Sequence, residues 1–488
     1  MTQPPFDARD SVSLDPDDWD IFSQTAHQML DDALTKMKTT RDGRVWTPLP
    51  EKIKEAHTTP LPRKGTALCD VQRQIADFLP YNVGNTHPRF FGWVHGAGSP
   101  GNMIADIAAA AMNANLGGRD HGAMYVEKQV IRWIREMFDF PDTASGLVVS
   151  GTSIATIIAL KSARDSALAF DNRLSGHAQG QLVGYTSTQT HSCVARAFDI
   201  LGLGSNALRK IPVDHDFQID LDALKLAIAR DQAAGLRPFA IIGTAGSVNV
   251  GAIDDLSTLA TIAEAEDLWL HIDGAFGAAG ILSEDLAPRL EGLKQADSIA
   301  FDFHKWFHVN YDAGFVLIRS EDIHRRAFSD RPDYLLGATR GLAAGGHWPV
   351  DYGPELSRGF RALKIWEQFT EHGTEKIGQM ITKNCRQAAY LGTCVDQHEK
   401  LELLAPVATS VCCFRYIAPQ WGPSDLDRFN DELVIQLQLS GVVVPSVTKV
   451  DGKTAIRINI TNHRTCMEDI DILLEEIDAN VEVLMSTF

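Results

Sequence analysis

The 488-residue chain has no Cys-x-x-Cys pair, and its seven cysteines (Cys69, Cys193, Cys385, Cys394, Cys412, Cys413 and Cys466) are odd in number. A disulfide framework and a thiolate metal site are therefore not expected; free thiols buried in a reducing cytoplasm are. Long apolar runs are missing too. The best, Met103 to Ala111, is short and contains Asp106, far from the roughly 20 residues that a membrane span needs. Met1 to Asp10 carry no basic-then-apolar pattern, so no secretory leader is expected. Positive charge is scarce: 45 Lys and Arg against 63 Asp and Glu give a formal net charge of −18. Nucleic acid and anionic membranes both select basic surfaces, so neither is an expected partner. Internal repeats and low-complexity tracts are absent. What is left, 44% hydrophobic and 22% charged, is an ordinary globular composition on a chain long enough for two or three domains.

Apolar residues at Trp19, Phe22, Ala26, Leu30, Ala33 and Met37 make a helical stripe behind an Asp-rich start. Prolines at 48, 50, 60 and 62 then force extended backbone. A segment with so little core of its own is expected to wrap another surface, such as a second subunit. His87-Pro88-Arg89-Phe90-Phe91-Gly92-Trp93 reads either as plain core or as a pocket wall for a flat molecule. From about residue 101, helices and strands alternate. Met103 to Ala114 and Met124 to Phe138 are predicted helices. Predicted strands are Gly146 to Val149, Gln181 to Thr186, Phe239 to Gly243, Leu268 to Ile272 and Ser298 to Phe303, with Gly314 to Arg319 turning back as one more. That rhythm argues a largely parallel α/β sheet.

Phe328 to Pro349, with Pro332 and four glycines around a lone Tyr334, is predicted as a mobile loop. A long helix is predicted from Arg358 to about His372. The remainder predicts a small α+β domain: a strand at Val407 to Tyr416, a helix at Leu426 to Leu439, a hairpin about Asp451-Gly452 and a last helix at Met467 to Met485. The expected domains are thus 1–100, helical and extended; 101–362, large α/β; and 363–488, small α+β.

Polar groups gather where the predicted strands end. The first runs into Ser150-Gly151-Thr152-Ser153 and then a helix. A glycine turn before a helix offers free N–H groups and the positive end of a dipole to an anion such as phosphate, although this stretch alone reads equally well as ordinary N-capping. It is neither a P-loop nor a dinucleotide fingerprint, so ATP and NAD are not indicated. His191 follows the second strand and Asp273 ends the fourth. The fifth delivers Lys305 between His304 and Trp306. Among aromatic groups an ammonium is disfavoured, and the free amine is a nucleophile that forms a Schiff base with a carbonyl. A lone lysine is far more often a solvated surface charge. Ser153, His191, Asp273 and Lys305 together on one sheet edge are a site.

These residues resemble the pyridoxal phosphate-dependent group II amino-acid decarboxylases, which include the aromatic-amino-acid and glutamate decarboxylases. The resemblance runs from the helix near residue 20 to Thr465. It rests on His87-Pro88-x-Phe90-Phe91, Ser150-Gly151-Thr152-Ser153, Thr190-His191-Ser192, His271-Ile272-Asp273, His304-Lys305-Trp306, Arg358-Gly359-Phe360-Arg361 and the run from Arg457 to Arg464. It implies the aspartate-aminotransferase-like fold (fold type I), pyridoxal 5'-phosphate as cofactor, and a homodimer with shared active sites. It implies Lys305 as the Schiff-base anchor, Asp273 on the pyridine nitrogen, His191 stacked on one ring face and Ala275 packed on the other. Thr152 and Ser153 would take the phosphate, with His304 beside it. Tyr334 matches the loop tyrosine that protonates Cα after carbon dioxide leaves, from the neighbouring subunit. Trp93, with Phe91 close by, falls where the family lines its substrate pocket, which favours an aromatic L-amino acid. Arg119 would instead suit aspartate or glutamate.

The chain also departs from the family. Asp302 stands where animal aromatic decarboxylases carry asparagine; a carboxylate repels a phosphate dianion, so no phosphate contact is expected of it. Val248 replaces their threonine, so that residue's hydrogen bond is lost or comes from Ser247 or Asn249. Aldehyde-forming relatives carry phenylalanine at the loop position, so Tyr334 implies an amine product. The alternatives are an aldehyde synthase or an aspartate/glutamate-type decarboxylase on the same cofactor and, more remotely, a non-catalytic binding protein.

Overall fold

A computed structural model describes residues 13–176, 181–330 and 337–486. The chain divides into two compact units between Gly84 and Asn85. The first contains α1 (Trp19–Lys38), α2 (Glu51–Ala56) and α3 (Leu68–Phe78). Asp18 caps α1, its carboxylate accepting from the N–H groups of Asp20 and Ile21, while Lys36 and Lys38 occupy the negative end of the dipole. Gln72 of α3 donates to Asp32 of α1 at 2.7 Å. None of these helices holds a buried residue.

The second unit carries the remaining elements. Its helices are α4 (Pro100–Met112), α5 (Gly122–Met137), α6 (Thr152–Ala167), α7 (Asn172–Ser175), α8 (Ser192–Ile200), α9 (Leu221–Ala233), α10 (Leu256–Ala265), α11 (Glu321–Phe328), α12 (Ala362–Gln397), α13 (Pro423–Ser440) and α14 (Met467–Met485). Seven strands form the main sheet: β1 (Ser145–Val149), β2 (Leu182–Ser187), β3 (Leu208–Ile211), β4 (Arg237–Thr244), β5 (Trp269–Asp273), β6 (Ser298–Asp302) and β7 (Gly314–Ile318). Their order is β1-β7-β6-β5-β4-β2-β3. All neighbours are parallel except β7, which runs against both β1 and β6. The carboxyl ends of β1, β2, β4, β5 and β6 therefore share one edge.

Helices cover both faces of this sheet, so its strands are apolar runs rather than half-buried alternations. β6 shows the difference. Its alternating sequence predicts a strand with one wet face, yet all five residues are buried. The polar position Ser298 is satisfied inside, where its Oγ accepts from Trp269 Nε1 at 2.8 Å and meets His271 Nδ1 at 2.9 Å.

A second sheet, entirely antiparallel, contains β8 (Leu401–Leu403), β9 (Val411–Tyr416), β10 (Ser446–Val450) and β11 (Lys453–Asn459) in the order β10-β11-β9-β8. Asp451 and Gly452, both with positive φ, make the hairpin turn that their sequence predicts. Phe414, Ile456 and Ile458 of this sheet share a core with Phe429 and Leu433 of α13 and Ile470 and Leu473 of α14. The helix predicted to stop near His372 breaks at Gly373 (φ 69°, ψ 161°), but helix resumes beyond it as far as Gln397. Among the described residues no helix is long and apolar enough to cross a membrane.

One buried ion pair fastens the chain behind the sheet. Arg358 grips Glu127 through two contacts of 2.6 and 3.1 Å and also donates to the carbonyls of Leu116 and Val148. Both side chains are almost wholly buried. Removing one partner leaves the other as an uncompensated buried charge, so Arg358→Ala should cost about 3–5 kcal/mol of stability. Urea unfolding of the two proteins checks this; equal midpoints would show the pair to be dispensable.

Candidate active site

The site is built where the shared strand edge meets the loop after β6. Asp302 ends β6, and the loop carries His304 and Lys305. Phe301, Phe303 and Phe307 are fully buried in one aromatic cluster, and the equally buried Trp306 ring stacks on Phe276 at 4.5 Å. Lys305 keeps 22% of its side chain exposed, and its Nζ lies 2.8 Å from Asp302 Oδ2. His304 is buried. Its Nδ1 accepts from the Ala313 N–H at 3.1 Å, its Nε2 is 3.7 Å from Asp302 Oδ2, and its ring lies over Tyr311 at 4.4 Å. Burial pushes the His304 ring below its ordinary pKa, and the Asp302 carboxylate opposes that shift.

The turn after β1 stands against this loop. The Thr152 N–H donates to Asp302 Oδ1 at 2.7 Å, and Thr152 Oγ1 is buried with no partner. Ser153 is exposed. Gly151 precedes α6 without a side-chain cap. A Cβ at Gly314, the first residue of β7, would collide with the Gly151 backbone, so the close approach of strand and turn requires glycine there.

Asp273 ends β5 as a buried carboxylate. Its Oδ1 accepts from the Ala275 N–H at 3.1 Å, and Cys193 Sγ lies 3.8 Å from Oδ2. Burial raises the Asp273 pKa, and the Ala275 N–H, Lys305 and His191 pull it back. The same burial, with the Asp273 charge, raises the Cys193 thiol. His191 is exposed at the start of α8, where its Nδ1 accepts from the Cys193 N–H at 3.2 Å. Ala275 is half-buried.

The aromatic stretch before α4 splits in two. Trp93 is 50% exposed, with φ 49°, and its ring neighbours those of Phe90 and His95. Phe91, also expected near the substrate, does not join them. Its backbone pairs with Val444 and Asn459 beside the small sheet, and its side chain is fully buried in that sheet's core. Arg119 lies over the Trp348 ring at 4.7 Å. Ser247 Oγ accepts from the Ala252 N–H, and the Asn249 amide is engaged by Gln189 and Thr448, so both residues next to Val248 already have partners. Tyr334 lies outside the described residues.

Sequence reasoning missed His95 and Tyr311. Their rings neighbour each other, Tyr311 lies over His304, and His95 is pushed below its ordinary pKa by burial and by the Lys305 cation. The only signal for either was nearness along the chain to the aromatic stretch or to Lys305.

Residues 50–417 match the pyridoxal-dependent decarboxylase conserved domain. An aromatic-L-amino-acid decarboxylase of Bacillus atrophaeus is 34% identical over 84% of this chain and 85% of its own length. A phenylacetaldehyde synthase of Arabidopsis thaliana is 26% identical over 95% of this chain and 97% of its own. Among solved structures, the glutamate decarboxylase domain of a diaminobutyrate-pyruvate transaminase and L-2,4-diaminobutyrate decarboxylase from Vibrio parahaemolyticus superposes with a TM-score of 0.81. It is 27% identical, over 93% of this chain and 95% of that one. The site has the features that pyridoxal phosphate needs. An orphaned buried hydroxyl at Thr152 sits at a helix N-terminus, a buried carboxylate ends β5 at Asp273, and an amine lies on the same edge at Lys305. The chain belongs to the group II pyridoxal phosphate-dependent amino-acid decarboxylases: it is a carboxy-lyase with pyridoxal phosphate as its cofactor.

Proposed function

We propose that the enzyme decarboxylates an aromatic L-amino acid to the amine and carbon dioxide. The observation that carries this reading is the exposed Trp93 ring, grouped with Phe90, His95 and Tyr311 along the segment whose Gly96 packs on the Lys305 backbone. Arg119 is occupied by Trp348, which leaves an acidic substrate less well served. The bound cofactor supplies a ring that accepts the electron pair left when the carboxylate departs. Lys305 would hold that cofactor, Asp273 would face its ring nitrogen, and His191 and Ala275 would pack against its ring. Thr152 and Ser153, with His304 beside them, would receive its phosphate, and Tyr334 would supply the proton that Cα takes up.

The proposed setting is a cytoplasmic homodimer with shared active sites. All seven cysteines are free. α4 leaves Ile104, Ile107 and Met112 exposed, an apolar face suited to a second copy. The helices of the N-terminal unit, with no buried residue, are proposed to wrap that copy.

A second reading, aldehyde formation, draws on the phenylacetaldehyde synthase relative. One experiment separates the two. The enzyme and Tyr334→Phe are each incubated with the twenty amino acids under air and under nitrogen, and products are identified by mass spectrometry. The wild type should yield amine from aromatic substrates in both atmospheres. Tyr334→Phe should lose amine and, under air, gain aldehyde and ammonia. Predominant aldehyde from the wild type would overturn the amine reading, and amine from aspartate or glutamate alone would overturn the aromatic one.

A further inference from the structure

Next to the turn that carries Lys305 lies a cavity of about 380 Å³ that the proposed reaction does not use. His308, whose backbone N–H donates to the Lys305 carbonyl at 3.2 Å, lines it together with His372, Lys376, Lys383 and His463. Thr152, His191, Asp273 and Lys305 do not. Among the described residues no carboxylate lines the cavity; Glu371 stands beside it, 3.7 Å from His372 Nε2. In a chain with a formal net charge of −18, this is a local concentration of basic groups.

The other polar groups here have partners. Gln368 accepts from Ser99 Oγ at 2.6 Å and donates to the Phe307 carbonyl at 3.0 Å. His463 Nε2 meets the Gly98 carbonyl at 3.1 Å, Lys383 donates to the His463 carbonyl at 2.8 Å, and Lys376 Nζ lies 3.4 Å from His372 Nδ1. His308 is the exception. It is 1% exposed, and neither of its ring nitrogens has a hydrogen-bond partner. Its ring meets that of His463 edge-on at 5.1 Å. Burial, reinforced by the positive groups around it, pushes His308 well below its ordinary pKa. The neutral ring has one N–H to give and one bare nitrogen to receive. Leaving both unsatisfied costs free energy that a ligand in the cavity would recover. α12 adds a further attraction for an anion. It breaks at Gly373, and Lys376 and Ile377 in the first turn of the stretch that follows line the cavity, which brings the positive end of that stretch's dipole there.

We propose that this cavity binds a phosphate group, free or carried on a small ester. Lys376 and Lys383 supply charge, and His308 supplies selectivity. A hydrogen phosphate has oxygens that accept from the imidazole N–H and an O–H that donates to the bare nitrogen, so it satisfies both atoms of the ring. Sulfate and simple carboxylates, fully ionised near neutral pH, can satisfy only the N–H. The inference does not depend on the identity of the amino acid that the enzyme decarboxylates.

The test uses the full chain loaded with cofactor and fixed by borohydride, so that the cofactor's own phosphate site is already filled. Isothermal titration calorimetry with inorganic phosphate at constant ionic strength should show one site per chain, and sulfate should bind more weakly. His308→Leu keeps much of the bulk but removes both nitrogens, and should weaken phosphate binding by about 10-fold or more, the scale of a hydrogen bond to a charged group. A substitution in the interior can disturb the fold, so circular dichroism accompanies it and the exposed Lys376→Gln is made as well. That variant should weaken binding severalfold. Glycerol phosphate distinguishes the two sources of the group: tighter binding than inorganic phosphate assigns the cavity to an ester, and weaker binding assigns it to the free ion. No binding by the wild type at millimolar phosphate would overturn the proposal, as would an unchanged affinity in either folded variant. Sulfate binding as tightly as phosphate would overturn it too, because the bare nitrogen of His308 would then play no part.

Discussion

Lys305→Ala should lose the visible absorbance of covalently held cofactor and nearly all turnover while the protein stays folded. The fold survives because Lys305 is not part of the core. The Phe301, Phe303 and Phe307 cluster and the Trp306–Phe276 stack remain in place, and Asp302 keeps its bond from the Thr152 N–H. The amine has no substitute. A tethered nucleophile acts at an effective molarity of about 10⁵ M or more, so turnover should drop by on the order of 10⁴-fold or beyond. Added free amine can restore only a small part of it. An absorbance scan after cofactor loading, a thermal melt and amine quantification check the three parts. A Lys305→Ala protein that kept both absorbance and activity would place the anchor on another lysine and remove the basis of the mechanism.

Most of the main sheet was legible because its strands are short apolar runs punctuated by glycine and polar turns, and each run delivers its polar residue to one edge. β3 was not. Its four residues Leu208, Arg209, Lys210 and Ile211 include two charges, and it pairs only with β2 at the sheet's edge, where one side of the ladder need not be apolar. The aromatic stretch was legible as important but not by residue. Which of Phe91 and Trp93 turns inward depends on Phe91 pairing with Val444 and Asn459, more than 350 positions later, and no local pattern encodes that. Asp302 shows the same limit for electrostatics. Read alone, its charge only repels phosphate. The fold gives it two partners, the Thr152 N–H from the turn after β1 and Lys305 three residues on, and the first of these lies 150 positions away.

Asp273→Asn tests the electron sink with the least change of shape. The amide replaces the carboxylate at nearly the same volume, and its oxygen can still accept from the Ala275 N–H. What disappears is charge. In the cofactor-free protein burial pushes the Asp273 pKa up, so the proton is favoured there at pH values where a surface aspartate would have lost it. A buried carboxylate becomes the stable form when a cation faces it, and a protonated ring nitrogen is such a cation. Asparagine imitates the neutral form permanently. It can hydrogen-bond the ring nitrogen but cannot hold a proton there, so the ring accepts electrons poorly when the carboxylate leaves. If the interaction acts mainly at that moment, kcat should fall by roughly 10²–10³-fold, the scale set by losing one preorganised electrostatic partner. KM and the cofactor content should change much less, because a loss confined to the transition state leaves ground-state binding intact. Steady-state kinetics on cofactor-loaded protein, with the cofactor counted after alkaline release, give both quantities. A near-wild-type kcat with the cofactor bound would mean that Asp273 is a structural carboxylate and that the ring nitrogen is served by some other group.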